Sequence, residues 1–147
     1  PRPFSEERAF QPCLQQHNRT HRGACTFAQL YWWFSSLKHE EPSVRLAHIG
    51  KLCRDMNADD EEMYIVCIQG AGNALDTTIE YDPSKAAEAC ATIDPDPGMR
   101  LHCQKTAAIR FSFYSSLENA LRACEGLSEK DRATCSTTLA TSMENKK

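Results

Sequence analysis

The sequence predicts an all-α fold: about seven helices in antiparallel pairs, as a bundle or helical repeat, each hairpin stapled by a disulfide. Three observations predict it. Eight cysteines stand at 13, 25, 53, 67, 90, 103, 124 and 135, so gaps of 11, 13, 12 and 10 residues alternate with gaps of 27, 22 and 20. Each short gap holds a turn or helix-start signal, while the long gaps carry helix formers without period-two alternation. The first cysteines of successive pairs lie 40, 37 and 34 residues apart, in the range of helix-pair repeats.

In chain order, Asn18 to Gly23 supplies polar and glycine punctuation after Cys13. The stretch CTFAQLYWWFSSLKH from Cys25 reads as helix until the break at Glu41-Pro42-Ser43. Asn57 leads into Asp59-Asp60-Glu61-Glu62, acids that suit the positive end of a helix macrodipole. CIQGAGNALDTTI from Cys67 reads as helix up to Asp82-Pro83-Ser84. Asp94-Pro95 and Asp96-Pro97 pair a capping residue with a first-turn proline. Residues 103–124 lack proline, and Ala107, Phe111, Tyr114, Leu117, Leu121 and Cys124 step by four and three, the stripe of one helix face, whether on one helix or two. Ser128 with Asp131 three residues on resembles a capping box.

On one continuous helix Cys90 and Cys103 would sit about 20 Å apart, too far to bond. The prolines between them forbid that continuity, and a hairpin brings the two together. Loop closure then favours Cys13–Cys25, Cys53–Cys67, Cys90–Cys103 and Cys124–Cys135. Each bridge would stabilise by about 3 kcal/mol in the chain-entropy model. The rival reading is metal ligation. Cys13, His17, His21 and Cys25 recur at steps of four, but such steps drift about 40° each on a helix, so the outer ligands would diverge. No C-x-x-C occurs. The expectation is that no metal and no cofactor is bound.

At 147 residues and a net charge of −3, the chain fits a single domain over residues 1–147. Basic residues are interspersed with acids, which gives no footprint for nucleic acid. No apolar run reaches the roughly 18 residues of a membrane span. The start Pro1-Arg2-Pro3 suits a processed mature protein. An even cysteine set points to an oxidising, extracytoplasmic setting, periplasmic or secreted. Asn18-Arg19-Thr20 is a glycosylation sequon, meaningful only in a eukaryotic secretory pathway.

Catalytic signatures are missing. His39-Glu40 runs into Glu41-Pro42 where H-E-x-x-H would need a second histidine, and neither G-x-S-x-G nor a Walker loop occurs. Asp55, Asn57 and Asp59 match the start of a calcium loop that fails at Asp60 and Val66. Gly70-Ala71-Gly72 lacks a third glycine and reads as a close helix–helix approach instead of a phosphate cradle. Tyr31, Trp32, Trp33 and Phe34 are consecutive, so on a helix they point about 100° apart and cover every face. Either that helix is central and wrapped by neighbours, or one or two of the four are exposed to bind a partner. The partner surface is expected on Tyr31, Trp32, Trp33 and Phe34, centred on the two tryptophans, with Lys38, His39 and Glu40 as its polar rim.

The alternation of helix, cysteine, a connection of 10–13 residues and a second cysteine resembles the cysteine-rich Sel1-like and tetratricopeptide-like helical-repeat proteins. That resemblance covers nearly the whole chain through its spacing and implies an extracytoplasmic protein-binding scaffold. The twin CX9C proteins of the mitochondrial intermembrane space are similar in outline, which makes that compartment the alternative location, although no gap here is nine. Odorant-binding proteins are also helical and of similar length, but their C-x₃-C signature is absent. The functional expectation is a non-catalytic interaction scaffold or accessory subunit of a larger complex, with another protein as partner. Its first rival is a carrier holding a small apolar ligand in an aromatic-lined cavity. An enzyme using His17, His21, His48 or His102 ranks third.

Overall fold

Six of the eight α-helices among the described residues begin where a side chain replaces a missing backbone partner. In this computed structural model, which describes residues 4–145, helix α1 (Glu6–Leu14) starts after Ser5, whose hydroxyl accepts the Arg8 N–H. Asn18 caps α2 (Arg19–Ser36) by accepting the His21 N–H. Pro42 opens α3 (Pro42–Met56), and Asp60 caps α4 (Glu61–Ala74) by accepting the Met63 N–H. Asp82 caps a 3-10 turn (Pro83–Lys85) that leads into α5 (Ala86–Ile93). Asp96, Ser116 and Ser128 cap α6 (Pro97–Tyr114), α7 (Leu117–Arg122) and α8 (Glu129–Glu144). These caps satisfy N–H groups that have no partner inside the helix.

The described residues are thus all-helical, with eight α-helices and one 3-10 turn against about seven helices expected. The added helix comes from residues 103–124, which do not form one helix. Ser115 leaves helical geometry at φ −127°, ψ −124°, and the Ser116 hydroxyl caps the restart. Two serines in succession offer the backbone local alternatives to its own ladder. Of the expected stripe, Tyr114, Leu117 and Leu121 therefore reach the surface, while Ala107, Phe111 and Cys124 stay buried. Two other expectations shift. Gly23 lies inside α2, the turn falling earlier, and α4 stops at Ala74 instead of continuing through the threonines.

All eight cysteines are bridged in the expected pairs: Cys13–Cys25, Cys53–Cys67, Cys90–Cys103 and Cys124–Cys135, with Cα–Cα distances of 5.4, 5.6, 5.7 and 5.8 Å. The bridges join α1 to α2, α3 to α4 and α5 to α6, and the end of α7 to α8.

Contacts between non-consecutive helices are centred on α4, which packs most extensively against α6 and α2. Glycine makes this contact as close as it is. A Cβ on Gly70 would stand 2.9 Å from the Phe27 carbonyl oxygen, and one on Gly72 would overlap the Cys103 carbonyl oxygen and Thr106 Oγ1. The Gly70-Ala71-Gly72 stretch is thus a close helix–helix approach, on two neighbours at once. Thr106 Oγ1 also donates to the Gln69 carbonyl at 2.7 Å, and buried Gln104 Nε2 donates to the Ala123 and Glu125 carbonyls at 3.1 and 2.8 Å. Trp33, Leu30, Ile49, Ile68, Phe111 and Leu139 belong to one hydrophobic cluster running from Ala9 to Leu139.

Disulfide mapping under non-reducing conditions is expected to return these four local links, and two or more long-range links would refute the pairing. Gly72→Ala is expected to destabilise by about 2–3 kcal/mol, because backbone carbonyls cannot step aside as side chains do. In Gly23→Ala the added methyl meets only Met63 Cε at 3.8 Å. That variant should gain about 0.5–1 kcal/mol from helix propensity. Denaturant midpoints of the two variants test the contrast.

Candidate interaction surface on helix α2

The run Tyr31-Trp32-Trp33-Phe34 divides between the core and the surface. Trp33 is 0% exposed and Phe34 4%, whereas Tyr31 is 42% and Trp32 41% exposed. The expectation that all four form a partner surface is corrected for Trp33 and Phe34, which face the core. Rotation of about 100° per residue carries Tyr31 and Trp32 to separate clefts flanking α2.

The first cleft, about 590 Å³, is lined by Tyr31, Tyr81, Phe113 and Tyr114 and by the cations Lys38, Arg45 and Arg110. Its floor is an ion pair. Arg110 Nε lies 3.3 Å from Oδ2 of buried Asp76, and the Arg110 guanidinium carbon stands 5.2 Å from the Tyr114 ring centre and 5.9 Å from that of Tyr31. A guanidinium over tyrosine faces gains cation–π attraction. Tyr31 is itself anchored, its hydroxyl accepting from Asn73 Nδ2 at 3.0 Å. Tyr81 meets Tyr114 edge to face, with ring centres 6.0 Å apart.

Tyr81 is held there by a strained turn. Glu80 and Tyr81 both have positive φ, 56° and 59°, and the Tyr81 N–H donates to the Asp76 carbonyl at 2.9 Å. Left-handed conformations disfavour residues with a Cβ, so two in succession need support from their surroundings. Arg45 gives some of it. It donates to the Leu37, Lys38 and Glu40 carbonyls at the end of α2 and to Thr78 Oγ1 in the turn.

The second cleft, about 840 Å³, lies across α2 and contains Trp32, Phe4, His39 and His48. Phe4 packs on Trp32 with ring centres 5.8 Å apart and presents its edge to His48 at 5.6 Å. His48 Nδ1 lies 3.0 Å from Glu40 Oε1. Ser35 and Lys38 line both clefts, so the two adjoin along the exposed face of α2. Lys38 and His39 were expected beside the aromatics as a polar rim with Glu40, and all three line the second cleft.

The four histidines considered for catalysis are dispersed. His17 lies between α1 and α2, His21 on α2, His48 on α3 and His102 on α6. Burial and neighbouring Lys105 hold the His102 imidazole below its usual value. Cys13 and Cys25 are bonded to each other, so they do not join His17 and His21 as thiolate ligands. Among the described residues, no group of three or more His, Cys, Asp or Glu side chains is placed to hold a metal ion. No described helix is long and apolar enough to cross a membrane.

Tyr81, Arg110, Phe113 and Tyr114 were not singled out from the sequence as site residues. A signal for them exists in Phe111-Ser112-Phe113-Tyr114, a second aromatic run that, like the first, sends rings to several faces. Tyr81 carries no such signal, because its position depends on a turn tied to Asp76 and Thr78.

Burial, then Asp76, hold the Tyr114 phenol above its ordinary value near 10. The native state retains that proton longer than the unfolded chain, so this contribution is complete below about pH 10 and is lost as pH rises above it. Unfolding curves between about pH 9 and 11 should lose stability less steeply in Tyr114→Phe than in wild type. Equal slopes would refute the assignment.

In comparisons with known proteins, no family model, no curated protein and no solved structure matches the chain.

Proposed function

We propose that the protein is a non-catalytic interaction module, a scaffold or accessory subunit whose partner is another protein. One observation carries this reading: α2 exposes Tyr31 and Trp32 into two adjoining clefts, neither of them enclosed. Half-exposed tyrosine and tryptophan beside arginine are the residue types that dominate protein interface energetics. A polar fringe of Ser35, Lys38, His39 and Glu40 surrounds them, as at the rim of an interface. The carrier reading calls for a cavity that buries most of its ligand, and clefts open to this degree favour it less.

Four disulfides and the absence of a membrane-crossing helix among the described residues are compatible with an extracytoplasmic protein. Periplasmic or secreted residence, with the mitochondrial intermembrane space as alternative, is part of the proposal. So are the antiparallel arrangement of the bridged helices and the kinship with Sel1-like or tetratricopeptide-like repeats. The regular spacing of the bridged pairs supports both.

Capture of a partner from the native source under non-reducing conditions, read by native mass spectrometry, tests the function. Trp32→Ala should weaken that complex by about 2 kcal/mol or more with the melting temperature little changed. Trp33→Ala should instead cost about 3–5 kcal/mol of stability. If Tyr31→Ala and Trp32→Ala both leave the complex intact, the surface is misassigned. A small apolar molecule released from the protein, with no bound chain, would replace this reading with the carrier.

A further inference from the structure

We infer that the cleft beside Tyr31 takes an acidic peptide segment, its carboxylates on Lys38 and Arg110 and its apolar side chains against Tyr81, Phe113 and Tyr114. This rests on the interaction reading and narrows it to one cleft and one partner chemistry.

The charge of this cleft is complementary to an acidic partner. The chain carries a net charge of −3, yet this cleft is lined by three cations, Lys38, Arg45 and Arg110, and by one acid, Asp76. Asp76 is 5% exposed and is committed to Arg110 Nε and to the Thr77 N–H. It balances one cation and leaves two. Lys38 and Arg45 have no carboxylate within ion-pair distance among the described residues. All the hydrogen bonds of Arg45 run to neutral oxygens, so its donors are satisfied while its charge is not matched by an acid.

Arg110 completes the geometry. Its Nε is taken by Asp76, and no hydrogen bond within the described residues occupies its two terminal nitrogens. A guanidinium fixed at Nε and flanked by Tyr31 and Tyr114 is pre-organised, so its remaining donors can meet a carboxylate with little further loss of rotamer freedom. Lys38, exposed where the clefts adjoin, adds a second cation. The tyrosine faces and Phe113 offer rigid apolar surface between these charges. A basic segment would meet repulsion here, and a purely apolar one would leave Lys38 unmatched.

Fluorescence anisotropy on the intact, oxidised protein tests this with three probes. The first is a labelled peptide of about eight residues alternating glutamate and phenylalanine, a length that can span such a cleft. The second replaces glutamate by lysine, and the third is N-acetylphenylalanine used as competitor. The glutamate peptide should bind, weaken about tenfold or more in Lys38→Glu, and weaken as salt rises from about 0.05 to 0.5 M.

Lys130→Glu makes the same charge change on α8, away from the cleft, and should leave affinity within about twofold. Tyr81→Asn keeps a residue suited to positive φ while removing the ring, and should also weaken binding. Melting curves establish that each variant is folded. The inference is overturned if the lysine peptide binds as well, if Lys38→Glu and Lys130→Glu behave alike, or if N-acetylphenylalanine competes at the peptide's own affinity. Absence of glutamate-peptide binding also overturns it. The broader interaction reading is judged separately, by partner capture with the Tyr31 and Trp32 variants.

Discussion

Gly70 and Gly72 let α4 sit closer to two neighbouring helices than any side chain would permit. The Phe27 backbone occupies one side and the Cys103 carbonyl with Thr106 the other, so the three helices α2, α4 and α6 are locked in depth and rotation. Everything at the candidate surface depends on that lock. Because α2 lies on α4 at this distance, Trp33 and Phe34 turn inward and Tyr31 reaches Asn73 at the far end of α4. Because α6 lies on the other side, Arg110 arrives opposite Asp76, just past the end of α4. A further close approach, of Gly50 to the Ile93 backbone, sets α3 against α5 in the same way.

The disulfides play a different part. Each spans 11 to 14 residues and joins elements that are neighbours along the chain. Such bridges restrict the unfolded chain and hold local pairs together, but they do not choose how one pair sits on the next. That choice falls to the glycine contacts and to a few buried polar links, including Thr106 to Gln69 and Gln104 to the carbonyls after α7. The protein thus combines local covalent staples with tight non-covalent packing between pairs.

The cleft beside Tyr31 shows how a surface can be pre-organised by parts that never leave the fold. Arg45 bonds the carbonyls just past the end of α2 and holds the turn at Thr78, Asp76 fixes Arg110, and the Asp76 carbonyl accepts the Tyr81 N–H where Tyr81 has positive φ. Rigid aromatic rings and a fixed guanidinium lose little freedom when a partner arrives, which is why such residues recur at binding hot spots. The proposed interaction therefore rests on side chains already ordered for structural reasons.

The all-α class, the nearest-neighbour disulfides, the proline-marked helix starts at Pro42 and Pro97, and the close approach at Gly70-Ala71-Gly72 were all legible in the sequence. Each is a local matter: a missing N–H, a capping side chain, a loop short enough to close, a residue without Cβ. The break at Ser115-Ser116 was not legible, because a stripe of spacing three and four persists whether or not the backbone between its members stays helical. The aromatic run on α2 announced rings on every face but not which rings stay wet. That depended on where α4 and α6 lie, as did the meeting of Tyr31 and Tyr81 with Arg110 and Tyr114 of α6, which come from three separate parts of the chain. Sequence determined the elements and their staples through short-range chemistry; the site was decided only by long-range packing, because no local pattern encodes which distant side chains share a cleft.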